Sequence, residues 1–391
     1  MNICHVIFTL DPAAGGPPAV VLHLAEEQAR LGHHVAVLSQ ENRDHSATID
    51  DSIAHLTGTD RVKLHRILFG GRLDRLRLGA VMSQLDELLR ASDILHLHGL
   101  WEPMLLRVAR RVRRHGTPYF ITPHGMLDPW SLSQKRLKKR IALAVAFRGM
   151  LNAAATLHAL NDDEKRLLQP LRLRAPVVVI ANGVDLNEIH PLPEPGRFRA
   201  IHPEVEDQPY LLFLSRLHYK KGLDILADAF AQFVERGGAM HLVVAGPDGG
   251  VQEDFERRIR EHGLEQRVHL VGPLYGPQKI EALRDAAGFV LPSRQEGFSV
   301  AITEAMAVGL PVIITDSCHF PEVAEVGAGF ITQPDADQIA EAMTRLAADP
   351  PAAEAMGRRA RQLVESRFTW PHIAQKMVSA YQNVLERSKA R

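Results

Sequence analysis

The sequence predicts an α/β protein made of two domains, each built on a parallel sheet. Three observations carry this. Short apolar runs alternate with amphipathic stretches along the whole chain, the order that parallel sheets with crossover helices require. The alternation stops at 190–209, where HPLPEPGRFRAIHPEVEDQP holds five prolines, and then restarts. The length, 391 residues, exceeds what one hydrophobic core usually serves.

In the first half, residues 1–9 read as a buried strand and 11–18 as a Pro/Gly loop. Residues 19–31 have helical periodicity, Gly32 closes the helix, and 34–39 read as the next strand. Strand-like runs follow at 94–97, 119–122, 156–160 and 177–180, with helical stretches at 103–115 and 132–151. Asn182-Gly183 breaks the pattern. In the second half, strands are expected at 210–214, 241–245, 268–271, 288–291 and 312–315. The domains are therefore expected at 1–189 and 210–370, joined by a linker at 190–209. The tail, 371–391, has apolar residues at Ile373, Met377, Ala380, Tyr381 and Val384, and this helix must dock somewhere.

Composition bounds the function. The chain is 46% hydrophobic and 24% charged, which fits a globular protein. Formal net charge is zero, so no nucleic-acid partner is expected. The two cysteines, Cys4 and Cys318, form no CxxC pair, and a reducing cytoplasm is the simplest setting. The N-terminal run lacks a basic leader and a small-residue cleavage site, so it reads as a strand rather than a signal peptide. No apolar run reaches the ~18 residues that a membrane helix needs.

The most informative stretch is 288–309, GFVLPSRQEGFSVAITEAMAVG. A short strand, a loop marked by Pro292, Ser293 and Gly297, and a helix ending at Gly309 succeed one another. Glu296 and Glu304 bracket the turn, roughly 12 Å apart along a helix. That is too far to share one proton or one metal ion, and suits two ends of an elongated ligand. The helix N-terminus between them offers free N–H groups and a positive dipole end to a phosphate. A second cluster, FLSRLHYKKG, follows the first strand of the second half and places Arg216 and Lys221 off its carboxyl end. Ligands bind there in open α/β sheets, and a planar fork with a point charge suits a diphosphate.

Arg216 with Lys221-Gly222, then Glu296 and Glu304 about eighty residues on, resembles retaining glycosyltransferase family four. Gly15-Gly16 after the first strand, Pro123-His124-Gly125-Met126, and Asn182-Gly183-Val184-Asp185 extend the resemblance over nearly the whole chain. Two positions depart from it: Ser215 and Ser299 stand where family members usually carry glycine.

The resemblance implies the GT-B architecture, two Rossmann-like domains facing a central cleft, with the tail helix packing back on the first. The first domain would bind an acceptor and the second a nucleoside-diphosphate-sugar, the co-substrate, with no cofactor and no metal. Arg216 and Lys221 would clamp the diphosphate, and Glu304 would accept hydrogen bonds from the ribose. Glu296 and the N–H groups of Gly297, Phe298, Ser299 and Val300 would hold the sugar and β-phosphate. The loop containing Leu274 would lie beside the nucleobase. Gly15 and Gly16 would let backbone approach the phosphates, and His124 would face the sugar. The implied activity is metal-independent retaining hexosyl transfer to an acceptor hydroxyl, in polysaccharide or lipid-linked glycan assembly. A nucleotide-sugar epimerase or hydrolase of the same shape, and a non-catalytic binding subunit, remain alternatives.

Two further features stay open. His96 and His98 form an HxH whose side chains share one strand face. No third metal ligand is visible nearby in the sequence; His98 with Trp101 and Met126 lining the acceptor cleft is one reading, and plain packing of His98 and Trp101 is the other. Residues 131–150 are basic early and apolar late, from Lys135, Arg136, Lys138, Lys139 and Arg140 to IALAVAF. An ordinary helix with a buried face and a solvated basic end is one reading. Peripheral contact with an anionic membrane, at its inner face, is another. A basic RNA-binding face is the third, disfavoured because no aromatics are interleaved.

Overall fold

The computed structural model describes residues 1–42, 46–54, 61–69, 85–205 and 207–389. The chain forms two compact units. One comprises Met1–Gly183 with Trp370–Arg391, and the other Val184–Thr369.

The first unit holds a seven-stranded sheet in the order β3-β2-β1-β4-β5-β6-β7. Its strands are β1 (Asn2–Ile7), β2 (His34–Asn42), β3 (Val62–Phe69), β4 (Ile94–His98), β5 (Tyr119–Thr122), β6 (Thr156–Ala159) and β7 (Val177–Val179). All pair in parallel. Period-two alternation splits the strand side chains between two cores. Cys4, Val6, Leu95, Leu97, Tyr119 and Ile121 join the core of the helix Pro103–His115. Ile3, Ile7, Val35, Val37, Ile94 and Phe120 join the opposite core, with the helices Pro17–Arg30 and Trp370–Lys389.

The tail helix is thus part of the first unit. Trp370, Ile373, Ala374, Met377 and Tyr381 are buried in its core. Gly183 makes room for it, since a Cβ there would fall 2.6 Å from the Trp370 ring.

The second unit holds a six-stranded parallel sheet in the order β10-β9-β8-β11-β12-β13. Its strands are β8 (Tyr210–Leu214), β9 (His241–Ala245), β10 (Val268–Gly272), β11 (Gly288–Leu291), β12 (Val312–Thr315) and β13 (Gly329–Thr332).

Three expectations need correction. Strands β3 and β13 were not expected. Both are sheet edges: β3 carries Lys63, His65 and Arg66 and does not read as a buried apolar run, and β13 is a four-residue strand, GFIT, that is only half-buried. Residues 190–209 are not a free linker but part of the second unit. Phe198 is buried, the Asp285 carboxylate accepts from the N–H groups of Gly196 and Phe198, and the Arg199 guanidinium lies 5.0 Å from the Tyr210 ring centre. The helix expected at 132–151 is broken into Pro129–Ser133, Arg136–Ala142, a π-helical turn at Leu143–Phe147, and Arg148–Asn152.

Candidate active site

In the second unit, two loops at the carboxyl edge of the sheet meet. The first follows β8 and contains Arg216 and the 3₁₀ turn Tyr219–Lys221. The second follows β11 and leads into the helix Val300–Val308. Gly222 is where they touch. Its φ is +71°, and a Cβ there would lie 2.1 Å from the carbonyl oxygen of Pro292, so only glycine fits. The Arg294 amide donates to the Lys220 carbonyl at 2.7 Å, and its guanidinium makes a two-pronged ion pair with Asp224 at 2.7 and 2.6 Å.

This brings Lys221 onto Glu296. The ammonium donates to Oε1 at 2.5 Å, and the Ser293 hydroxyl donates to the same oxygen at 2.7 Å. Arg216 is exposed and has no ion pair among the described residues. Ser299 is the N-cap residue of the helix Val300–Val308, but its side chain makes no capping bond, so the first turn has no side-chain cap. Gly297, Phe298 and Ser299 are half-buried and Val300 is exposed, and the Phe298 ring packs against Phe320 at 5.8 Å. The arrangement therefore offers two cations and an open helix N-terminus beside one held carboxylate, which is chemistry for an anion with a polar group attached.

Glu304 lies deeper and has a different partner. It is 7% exposed, and Lys279 donates to its Oε1 at 2.5 Å. Burial pushes its carboxyl above the usual range, and Lys279 offsets that only in part. Leu274 is buried in the loop after β10, while the neighbouring Tyr275 is exposed.

In the first unit, Gly15 and Gly16 are exposed between the 3₁₀ turn Pro12–Ala14 and the helix Pro17–Arg30. Gly15 has φ +100°, which only glycine adopts readily, whereas Gly16 has φ −69° and would accept a side chain. His98, Met126, Thr9 and Glu102 line a cavity of about 110 Å³ together with Phe8 and Leu105. Trp101 instead packs on Phe147, with the Lys139 ammonium 5.7 Å from its ring centre. His124 takes a left-handed backbone, φ +51°. Its loop is fixed by Glu164, whose carboxylate accepts from the N–H groups of Gly125 and Leu160 at 2.8 and 2.7 Å.

His124 is half-buried and opens a network whose other histidines are buried. Its Nε2 lies 3.3 Å from Nδ1 of His98, whose Nε2 lies 2.9 Å from Nδ1 of His5, and His5 Nε2 meets Oε1 of Gln28 at 2.7 Å. A second branch runs from the Ile180 carbonyl to His158, Thr122, His96 and the Tyr381 hydroxyl, each step 2.6 or 2.7 Å. Parallel register explains the cluster, because His5 is opposite His96 and His98 is opposite Thr122. Burial holds the histidines neutral. His5 and His158 fall to about 4 and His124 to about 3, and His96 and His98 are pushed well below the usual range.

The third histidine that the sequence does not reveal beside the HxH is His5. Ligand atoms of His5, His96 and His98 lie within 4.8 Å of one another, close enough for a metal ion. Every nitrogen of the three is already in a hydrogen bond to a protein group.

The basic segment has two apolar faces. Leu143, Phe147, Met150 and Leu151 point into the core. Leu137, Ile141 and Val145, four residues apart, are 74%, 56% and 80% exposed on the outer side. No Asp or Glu occurs between Asp128 and Asp162. A helix with only its basic end in solvent is therefore not what forms.

Sequence reasoning missed Lys279, Ser293, Arg294, Glu164, His5 and His158. Arg294 stands two residues before Glu296 and could have been singled out there. Ser293 stands three residues before Glu296 and reads there only as a loop marker. Lys279, His5 and His158 pair with residues at least 22 positions away, and nothing local marks them.

Comparisons with known proteins point to glycosyl transferases. The family model described as Glycosyl transferase 4-like domain matches residues 15–183, and that described as Glycosyl transferases group 1 matches 196–363. The chain is 27% identical to the GDP-mannose:cellobiosyl-diphosphopolyprenol alpha-mannosyltransferase of Xanthomonas oryzae, covering 98% of this chain and 97% of the relative. It is 26% identical to a D-inositol 3-phosphate glycosyltransferase of Jonesia denitrificans, over 94% and 91% of the two chains. Among solved structures, Anabaena HepE in complex with UDP-glucose superposes with a TM-score of 0.75 at 21% identity, covering 98% of this chain and 100% of HepE. That likeness supports the GT-B fold.

Proposed function

The chain belongs to the group 1 glycosyl transferases, and on that premise we propose that it moves a sugar from a nucleoside-diphosphate-sugar to an acceptor hydroxyl with retention and without a metal ion. The observation that carries this is the meeting of Lys221, Glu296 and an uncapped helix N-terminus at the carboxyl edge of a parallel sheet, beside the unpaired Arg216. The second unit binds the donor and the first unit the acceptor.

Arg216 and Lys221 hold the diphosphate, with N–H groups of 297–300 on the β-phosphate. Glu296, already fixed by Lys221 and Ser293, receives sugar hydroxyls, and Glu304 receives the ribose. In the reaction the acceptor oxygen bonds to the anomeric carbon as the bond to the β-phosphate oxygen breaks. The acceptor proton passes to that phosphate oxygen. Arg216 and Lys221 stabilise the charge on the leaving diphosphate. His124 is neutral and donates through Nε2 to His98, so it orients the sugar rather than carrying a positive charge.

The acceptor is a lipid-diphosphate-linked glycan at the inner, cytoplasmic face of a membrane. Two observations support this. The Xanthomonas relative is named for a diphosphopolyprenol acceptor. The exposed Leu137, Ile141 and Val145 lie among Lys and Arg in a segment without acidic residues, the pattern of a surface that rests on anionic lipid. No helix among the described residues is long and apolar enough to cross a membrane.

The test is nucleoside diphosphate release with candidate donors, with and without a lipid-linked glycan, in the presence of a chelator. Release that needs the acceptor, survives the chelator and gives a product of unchanged anomeric configuration is expected. Release without acceptor favours an epimerase or hydrolase, and loss of all activity in the chelator overturns metal independence.

A further inference from the structure

Lys279 has no role in the reading so far. It sits on the helix Gly276–Asp285, away from Arg216 and Lys221 in sequence, and its ammonium is bonded to Glu304. Glu304 is the deepest acid of the donor site, and its carboxylate needs to be ionised to accept two hydrogen bonds from a cis-diol. Its surroundings work against ionisation. Burial disfavours the charge, and Glu188, on the 3₁₀ turn Leu186–Glu188, adds like-charge repulsion. Glu188 is itself pushed up by burial and by Asp185, and Lys279 is the cation that favours charge on both glutamates. The bond is one-sided: Lys279 takes Oε1, and Oε2 has no hydrogen-bond partner among the described residues.

We infer that Lys279 is a positioning residue of the donor site, holding Glu304 as an ionised acceptor with one oxygen left for the ribose diol of the nucleotide. This rests on the reading of the second unit as the donor-binding one. Lys279 sets the charge of Glu304 and fixes its rotamer, and it touches neither the sugar nor the diphosphate. Without it, the buried carboxyl faces Glu188 uncompensated and takes up a proton at a higher pH. A protonated carboxyl accepts fewer hydrogen bonds, so nucleotide affinity acquires a pH dependence.

The experiment measures the dissociation constants of UDP and GDP at pH 8, 7 and 6 by calorimetry, for the wild type, Lys279→Met, Lys279→Arg and Glu304→Gln. The ratio of variant to wild type cancels the titration of the diphosphate itself. For Lys279→Met this ratio is expected to climb as pH falls, approaching about tenfold per pH unit below the pKa of the carboxyl. Arginine at 279 restores a flat ratio. Adding Glu188→Gln to Lys279→Met moves the climb to lower pH, which a purely structural role of Lys279 would not do. A folded Lys279→Met with a flat ratio overturns the inference if Glu304→Gln binds weakly. If Glu304→Gln binds UDP and GDP as the wild type does, the ribose role of Glu304 falls first, and Lys279 with it.

Discussion

Tyr381 donates its hydroxyl proton to Nδ1 of His96 across 2.6 Å, joining the tail helix to the centre of the first sheet. The direction follows from the far end of the chain of bonds. The Ile180 carbonyl only accepts, so His158 donates to it through Nε2 and accepts from Thr122 through Nδ1. Thr122 then accepts from Nε2 of His96, which leaves Nδ1 of His96 as an acceptor. Each group has one consistent proton assignment, and all four imidazole and hydroxyl groups, His158, Thr122, His96 and Tyr381, are buried.

Tyr381→Phe leaves a buried imidazole nitrogen without its donor. It should cost about 1–3 kcal/mol of stability. Urea unfolding would show a lower midpoint with an unchanged slope. An unchanged midpoint would mean that the bond contributes nothing.

The buried histidines make stability depend on pH. Unfolded histidine titrates near 6.5, whereas folded His5 and His158 titrate at about 4 and His124 at about 3. As pH falls below 6.5, the unfolded chain takes up protons that the folded chain does not, so stability declines. Each of the three contributes up to about 1.4 kcal/mol per pH unit until its folded pKa is reached. Denaturant midpoints measured between pH 7 and 4.5 should fall steadily, and a level profile would contradict the neutral network.

Arg216→Ala and Lys221→Ala should lower kcat by about 10²-fold or more if both stabilise the leaving diphosphate. Arg216 is exposed and unpaired among the described residues, so its removal should change stability by only about 0.5 kcal/mol. Normal turnover in both variants would remove the phosphate clamp from the mechanism.

Gly222→Ala places a methyl group against the Pro292 carbonyl oxygen in a left-handed backbone. The two loops must separate to admit it. A loss of at least about 1–3 kcal/mol is expected, together with weaker nucleotide binding. Thermal melts with and without UDP or GDP would read both effects.

Replacing Leu137, Ile141 and Val145 together by serine removes the exposed apolar stripe and should stabilise or leave unchanged the soluble protein. Co-sedimentation with vesicles containing anionic lipid should fall, while turnover of a short water-soluble acceptor stays the same. Equal sedimentation of variant and wild type would exclude this segment as the lipid contact.

Much of this was legible in the sequence, because it depends on local order. Strands β5, β8, β9, β11 and β12 and the helix Pro103–His115 stand where alternation and periodicity put them. Lys221 and Glu296 were identified from their own loops, since glycines, prolines and strand ends mark a ligand edge without reference to the rest of the chain. Their bond to each other spans 75 positions and was not legible. Nor was the gathering of polar residues from neighbouring strands beside the HxH of His96 and His98: His5, Thr122 and His158 look like isolated polar interruptions in apolar strands.

The sequence by itself determined the two parallel-sheet units and the loops that hold Lys221 and Glu296, since each rests on contacts within a few residues. The tertiary structure decided which of those residues are partners. It set Lys221 on Glu296, Lys279 on Glu304, His5 between His98 and Gln28, and Tyr381 on His96. It also turned Leu137, Ile141 and Val145 outward and docked 190–209 on the second unit. The physical reason is the same in each case. Charge, protonation and exposure depend on what desolvates a group and what opposes it, and those neighbours arrive from distant parts of the chain only when the sheets and helices pack.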